Sequence, residues 1–78
     1  MTLEFTCWIP GGGESEQDGR VVKAVSAQGA AFARARDPLE EAKEEEAVEV
    51  HVRAPSGDVT KWHVWYVTAR SLRSEQVV

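Results

Sequence analysis

Residues 47–67, AVEVHVRAPSGDVTKWHVWYV, contain two strands and the turn that sets how they pair. Valine occupies alternate positions of the first strand, and alternate side chains of a strand point to the same face, so these valines share one face. Pro55 suits the first corner of a tight turn, and Gly57 suits a positive φ angle. A three-residue loop closed by a glycine bulge would pair Ala54 with Asp58. The two strands therefore form a hairpin whose register can be counted from that pair.

The register of this hairpin decides which side chains of the second strand enter the core. A loop of two or four residues would shift the pairing by one and bring His63 and Trp65 inward, which buries a histidine for no visible reason. We therefore predict the three-residue loop. This register sets Val52 opposite Thr60, Val50 opposite Trp62 and Val48 opposite Val64, with Trp62, Val64 and Tyr66 facing the core.

The first strand of the chain alternates as cleanly as the hairpin does. In residues 2–9 the odd positions are apolar and the even positions, apart from Trp8, are polar, which predicts a half-buried strand. Residues 10–19, PGGGESEQDG, combine proline, glycine and acidic residues and predict a flexible acidic loop. Residues 20–25 predict a second strand, but valines fall on both of its faces and leave its phase open.

A helical segment separates the two pairs of strands. Ser26 suits the N-cap of a helix over residues 27–36, AQGAAFARAR. The Asp-Pro pair at 37–38, followed by Glu40, has the pattern of a second helix start, so the segment is either one kinked helix or two short helices ending near Glu46. The predicted buried stripe is Gln28, Ala31, Phe32 and Ala35, with Arg34 and Arg36 falling away from it.

Together these elements predict a single α+β domain over residues 1–78, in the order ββαββ. The sheet has four largely antiparallel strands, with one kinked helix or two short helices on one face. Residues 69–78 are too polar to cover the other face and are predicted to form a tail. We call that other face the outer face and define it by Trp8, His63, Trp65 and Val67.

The composition restricts the environment and the class of partner. The 78 residues include one cysteine, so no internal disulfide can form, and their formal net charge is -4. That charge disfavours non-specific attraction to phosphate backbones. The first residues, MTLEFTCWIPGGG, hold neither a basic leader nor a long apolar segment, which predicts no signal peptide, no membrane span and a cytoplasmic location.

Three side chains of the hairpin have the chemistry of a metal site. His51 and His63 lie on neighbouring strands close to Glu49, and two histidines with a carboxylate can hold zinc. Their spacing matches no recognised metal signature, and a cross-strand charge pair between Glu49 and His63 explains them more simply. We therefore predict no metal or other cofactor.

Two further features suggest chemistry but have simpler interpretations. Cys7 would be a nucleophile if a histidine lay beside it, but its phase places it in the core, where a thiol behaves as a small hydrophobe. The loop at 10–19 lacks the lysine and hydroxyl pattern of a P-loop and leads into a strand, so it predicts no phosphate site. The sequence therefore predicts a protein that is not an enzyme.

Acidic residues concentrate in residues 40–46, EEAKEEE. Such a run is usually a solvated helix face. The sharper interpretation is a negative patch that occupies a basic groove by imitating the phosphates of a nucleic acid. A basic cluster would argue against this interpretation. If the tail folds near the helix, such a cluster would consist of Arg34, Arg36, Arg70 and Arg73.

The tryptophans of the outer face point to an interface. Trp8, Trp65 and Val67 face away from the core, where a solvated sheet should carry polar side chains. A contiguous apolar patch usually marks an interaction site, and tryptophan is enriched at binding hot spots. We therefore predict binding of a protein partner or formation of a homodimer. The predicted partner-binding residues are Trp8, Trp65, Val67, His63, Glu40, Glu41, Glu44 and Glu45.

The order of valine strand, capped alanine-rich helix and glycine-turn hairpin resembles a pattern common in small phage and mobile-element proteins. The segments RVVKAVSAQGAAFARA and AVEVHVRAPSGDVTKWHVWYV carry it. Some anti-CRISPR proteins look like this, and they act by occupying surfaces of a CRISPR effector complex. The resemblance implies an inhibitor whose partner is a nucleic-acid-handling complex, and it transfers no site residue. The alternative function is a small nucleic-acid-binding regulator that uses arginines and exposed aromatics as a stacking platform.

Overall fold

Five antiparallel strands and one helix form the described part of the chain. The computed structural model describes residues 2–41, 47–68 and 71–77, and the side chains of these residues except 37–41, 66–68 and 71–72. The elements in chain order are β1 (Leu3–Trp8), β2 (Arg20–Ala24), α1 (Ala27–Glu41), β3 (Val48–Arg53), β4 (Val59–Thr68) and β5 (Ser71–Val77). Among the helices of the described ranges, none combines the length and apolar character that crossing a membrane requires.

The strands form one sheet in the order β2-β1-β3-β4-β5. The predicted register of the β3–β4 hairpin is confirmed, because Val50 lies opposite Trp62 and the neighbouring pairs follow. The turn closes as the sequence indicates: the Ala54 amide donates to the Asp58 carbonyl at 2.8 Å, and Gly57 has a φ of 96°. A left-handed φ of this size favours glycine, so this residue fixes the register of the hairpin.

The core lies between α1 and one face of the sheet. The helix contributes three alanines with no exposed surface, Ala30, Ala31 and Ala35, whose small side chains permit a close approach to the strands. Phe32, predicted as part of the buried stripe, is half-buried at the margin of the core. The strands contribute Phe5, Cys7, Val50, Val52 and Val64.

The helix begins as predicted and continues through the second start signal. The Gly29 amide donates to the Ser26 hydroxyl at 3.1 Å, which is the N-cap bond. Of the two predicted alternatives, the structure has one helix, which runs without a break through Pro38 to Glu41. The predicted extension to Glu46 lies outside the described residues.

The prediction of a four-stranded sheet with a C-terminal tail is wrong. Ser71–Val77 forms a fifth strand that pairs antiparallel with β4, where Glu75 lies opposite His63 and Arg73 lies opposite Trp65. This segment was missed because its side chains are mostly polar, whereas its place in the sheet depends on backbone pairing with the free edge of β4. The open phase of β2 is settled by packing, since Val22 joins the margin of the core and Val21 is 64% exposed.

The loop at 10–19 contains two short 3-10 turns, Pro10–Gly12 and Glu16–Asp18, and its mobility stays a prediction. One carboxylate ties the loop to the domain. The Glu14 side chain accepts the Ile9 amide at 3.0 Å and the Arg34 guanidinium at 2.6 Å. The prediction that Arg34 turns away from the buried side of the helix is wrong, because this ion pair draws the arginine into an 8% exposed position.

Candidate functional site: the outer face of the sheet

The outer face is the side of the sheet opposite α1. The strand registers place fifteen side chains there, and charged residues of both signs alternate with aromatic and aliphatic ones. They are Glu4, Thr6 and Trp8 on β1, Val21 and Lys23 on β2, Glu49, His51 and Arg53 on β3, Val59, Lys61, His63 and Trp65 on β4, and Arg73, Glu75 and Val77 on β5. The only α-helix of the described residues packs on the other face.

Trp8 points to the outer face as predicted, but it is not exposed. Its position opposite His51 puts it on the face away from the core, yet only 7% of its surface is accessible. The two rings meet edge to face, with centroids 5.6 Å apart and planes at 75°. β1 lies between β2 and β3 in the sheet, so strands flank the indole on both sides. An exposed Trp8 was therefore a wrong expectation.

Trp65 and His63 form the accessible part of the predicted site. Trp65 is half-buried opposite Arg73, and the His63 side chain is 46% exposed between Glu49 and Glu75 on the flanking strands. The structure thus separates the two predicted tryptophans into a buried one and a partly accessible one. Val67 lies on β4 at an irregularity in the pairing with β5, and its side chain is outside the described set.

Glu49 links both histidines of the outer face. Its two carboxylate oxygens lie 2.7 Å from the His51 Nε2 and 3.2 Å from the His63 Nε2. The predicted cross-strand pair of Glu49 with His63 is therefore confirmed, and His51 on the same strand completes the cluster. The hydrogen bond from His51, with a smaller contribution from His63, lowers the pKa of Glu49 from its ordinary value. The carboxylate therefore holds both imidazoles of the cluster in place on the outer face.

Replacing Glu49 with glutamine should produce a small, salt-sensitive loss of stability at pH 7. Because the folded-state pKa of Glu49 is lowered, its contribution is present above the unfolded-state value and is lost as pH falls through the folded-state value. The carboxylate is 39% exposed, so solvent screening limits the expected loss to about 0.5 kcal/mol. Urea denaturation of both forms at pH 7 and pH 3 checks this.

The control for that substitution is Glu4→Gln, which changes an exposed carboxylate on the same face that makes no ion pair within the described residues. A Glu49→Gln effect that was equal to the control, or unchanged at pH 3, would contradict the role assigned to the cluster.

The structure gives the geometry of both chemical candidates from the sequence, the metal site and the nucleophilic Cys7. Within residues 2–41, 47–68 and 71–77 no set of three or more His, Cys, Asp or Glu side chains is arranged to hold a metal ion. Cys7 is fully buried, and its thiol lies 3.9 Å from the Ala30 carbonyl oxygen. Burial raises the pKa of this thiol to about 11, although Arg34 acts in the opposite direction. The thiol is therefore protonated at neutral pH and packs as a small hydrophobe, as predicted.

The predicted acidic surface lies mostly beyond the described side chains. Glu40 and Glu41 belong to the last turn of α1, and their side chains are outside the described set. Glu44 and Glu45 lie outside the described residues. Their binding role stays a prediction.

Arg73 and Glu75 are among the residues of the outer face that sequence reasoning missed. Both came from the segment interpreted as a tail, and both lie directly opposite predicted site residues of β4. The sequence signal for this strand is weak, because Leu72 and Val77 are the only apolar residues of LRSEQV and they fall on opposite faces.

Comparison of the chain with protein-family models, with curated proteins and with solved structures finds no match.

Proposed function

We propose that this protein is a non-enzymatic protein-binding domain that holds its partner on the outer face, around Trp65 and His63. The observation that carries the proposal is a half-buried tryptophan beside a 46% exposed histidine side chain on a sheet face that carries no helix in the described residues. Tryptophan provides a large contact area at low entropic cost, which suits an interaction site.

The surroundings of Trp65 supply the polar rim that such a site needs. Arg73 lies opposite Trp65, and Lys61, Glu49 and Glu75 surround His63 on the same face. Protein interfaces combine an apolar centre with charged residues at the edge, and the rim charges set orientation and association rate. A partner that contacts β4 would meet Trp65 as the apolar centre and the charged residues around it as the rim.

As the finer form of this proposal, the protein is an inhibitor of the anti-CRISPR type that occupies a surface of a nucleic-acid-handling complex in the cytoplasm. The support is the sequence pattern quoted above and the acidic run that begins at Glu40. The nucleic-acid-binding alternative is weaker, because Arg34 is buried against Glu14 and is not available to a phosphate.

Comparative capture from the cells of origin tests the proposal. The tagged protein, a Trp65→Ala, His63→Ala double variant and a matched control are used as baits, with nuclease added to remove nucleic acid. Val25→Ser is the control, since Val25 is 72% exposed and lies outside the strands.

We expect the wild type and the control to retain the same protein and the double variant to lose it, with similar thermal unfolding of all three. Equal capture by the double variant, no protein captured, or capture abolished by nuclease would each contradict the proposal.

A further inference from the structure

The free edge of β5 is a part of the sheet that the proposed contact on the outer face does not use. β5 is the last strand in the sheet order and pairs with β4 alone among the described strands. An edge strand presents unpaired backbone N–H and C=O groups that can add a strand from another chain. The sequence of β5, SLRSEQV, determines which strand fits.

The central residue of β5 is Ser74, and the strand carries opposite charges on either side of it, Arg73 and Glu75. If a second copy of β5 runs antiparallel about a two-fold axis at Ser74, all seven residues of each strand find a partner. In that register Arg73 lies opposite Glu75 of the second copy, and Glu75 lies opposite Arg73 of the second copy. Opposite charges directly across a pair of antiparallel strands stabilise the pairing.

Neighbouring registers are disfavoured by the same two residues. Moving the axis to Arg73 or to Glu75 places like charges opposite each other, which is destabilising. Moving the pairing by one residue brings the outer face of one copy beside the core face of the other, because side-chain direction alternates along the strand. The register with the longest overlap is therefore also the one that the charges select.

The other edge of the sheet lacks this property. β2 has the sequence RVVKA, so its charged residues, Arg20 and Lys23, are both basic. No antiparallel pairing of two β2 strands brings opposite charges together. The two edges differ in self-complementarity, and this favours a second copy of the chain at β5.

We propose that two copies of this protein dimerise through β5, pairing about a two-fold axis at Ser74 into one ten-stranded sheet. This pairing places both outer faces on the same side of the sheet. Across the seam, His63 and Glu75 of one copy are followed by Arg73 and Trp65 of the other. The two proposed protein-binding sites then lie side by side, although the dimer uses an edge of the sheet and does not depend on the function proposed for the outer face.

Charge exchange tests the dimer. Sedimentation velocity over a concentration series is measured for the wild type, Arg73→Glu, Glu75→Arg and the variant with both changes. Each single change turns two attractive pairs into two repulsive ones, and we expect dimer dissociation constants raised by about tenfold or more. The double change restores both pairs in exchanged positions and should restore the dimer.

Mixing the two single variants should also give a heterodimer, because one supplies two acids and the other two arginines at the facing positions. Thermal unfolding of each variant establishes that the fold is kept. A wild type that stays monomeric up to about 1 mM, or dimers equally strong in all four proteins, would overturn the proposal. These measurements use no other partner, so their failure leaves the capture experiment on Trp65 and His63 unaffected.

Discussion

Replacing Trp8 with alanine should lower the free energy of unfolding by about 3 kcal/mol, which is the lower end of the range for truncating a buried tryptophan. The indole is 7% exposed and packs edge to face on His51, so its removal leaves a cavity between β1 and β3. The lower end applies because Trp8 lies on the outer face, away from the main core cluster. Urea denaturation at pH 7 measures the loss.

Trp65→Ala is the matched control, because it removes the same side chain from the same face. Trp65 is half-buried, and we expect its loss to cost about 1 kcal/mol in proportion to the smaller buried area. A Trp8→Ala cost below that of Trp65→Ala would contradict the burial of Trp8. Because Trp8→Ala is expected to cost more stability than Trp65→Ala, the binding tests use Trp65. With a Trp8 variant, unfolding could not be distinguished from loss of a contact with the partner.

Replacing Glu14 with alanine should lower the free energy of unfolding by about 2 kcal/mol, because it leaves a buried charge uncompensated. That charge is Arg34, which is 8% exposed, and the Ile9 amide loses its acceptor as well. The loss is smaller than the roughly 3–5 kcal/mol of a fully buried pair because the Glu14 side chain is 27% exposed. The hydrogen bond from Ile9, assisted by Arg34, lowers the pKa of Glu14. The stabilisation is therefore present above the unfolded-state pKa and is lost as pH falls through the lower folded-state value.

The measurement is urea denaturation of wild type and Glu14→Ala from pH 7 to pH 3. The difference between their free energies of unfolding should become smaller as the pH falls. Glu16→Ala in the same loop is the control. Glu16 meets Arg53 at 3.6 Å with both side chains 46% exposed, so a loss of about 0.3 kcal/mol is expected. Equal effects of the two substitutions would show that Glu14 does not tie the loop to the helix.

The hairpin could be predicted from the sequence because its determinants are local. Gly57 and the alternating valines of β3 lie within a few residues of each other in sequence, and together they fix the register. The turn closes as expected. The N-cap at Ser26 is equally local. The direction of Trp8 also follows from alternation along one strand.

The features that were missed depend on residues distant in sequence. Arg34 is drawn inward by Glu14, 20 residues earlier, and no pattern within the helix reveals this. The burial of Trp8 depends on His51 of another strand. β5 is an edge strand whose pairing is made by the backbone, so its side chains carry little signal. In the candidate site, therefore, the direction of each side chain was predictable and its exposure was not.

The central claim is that a protein partner binds the outer face through Trp65. Titration of the captured partner into wild type, Trp65→Ala and Val25→Ser, followed by calorimetry, tests it most directly. Truncation of a hot-spot tryptophan costs about 2 kcal/mol or more, so Trp65→Ala should weaken binding by about thirtyfold while Val25→Ser leaves the Kd unchanged. Binding by Trp65→Ala with the same Kd as the wild type would contradict the claim.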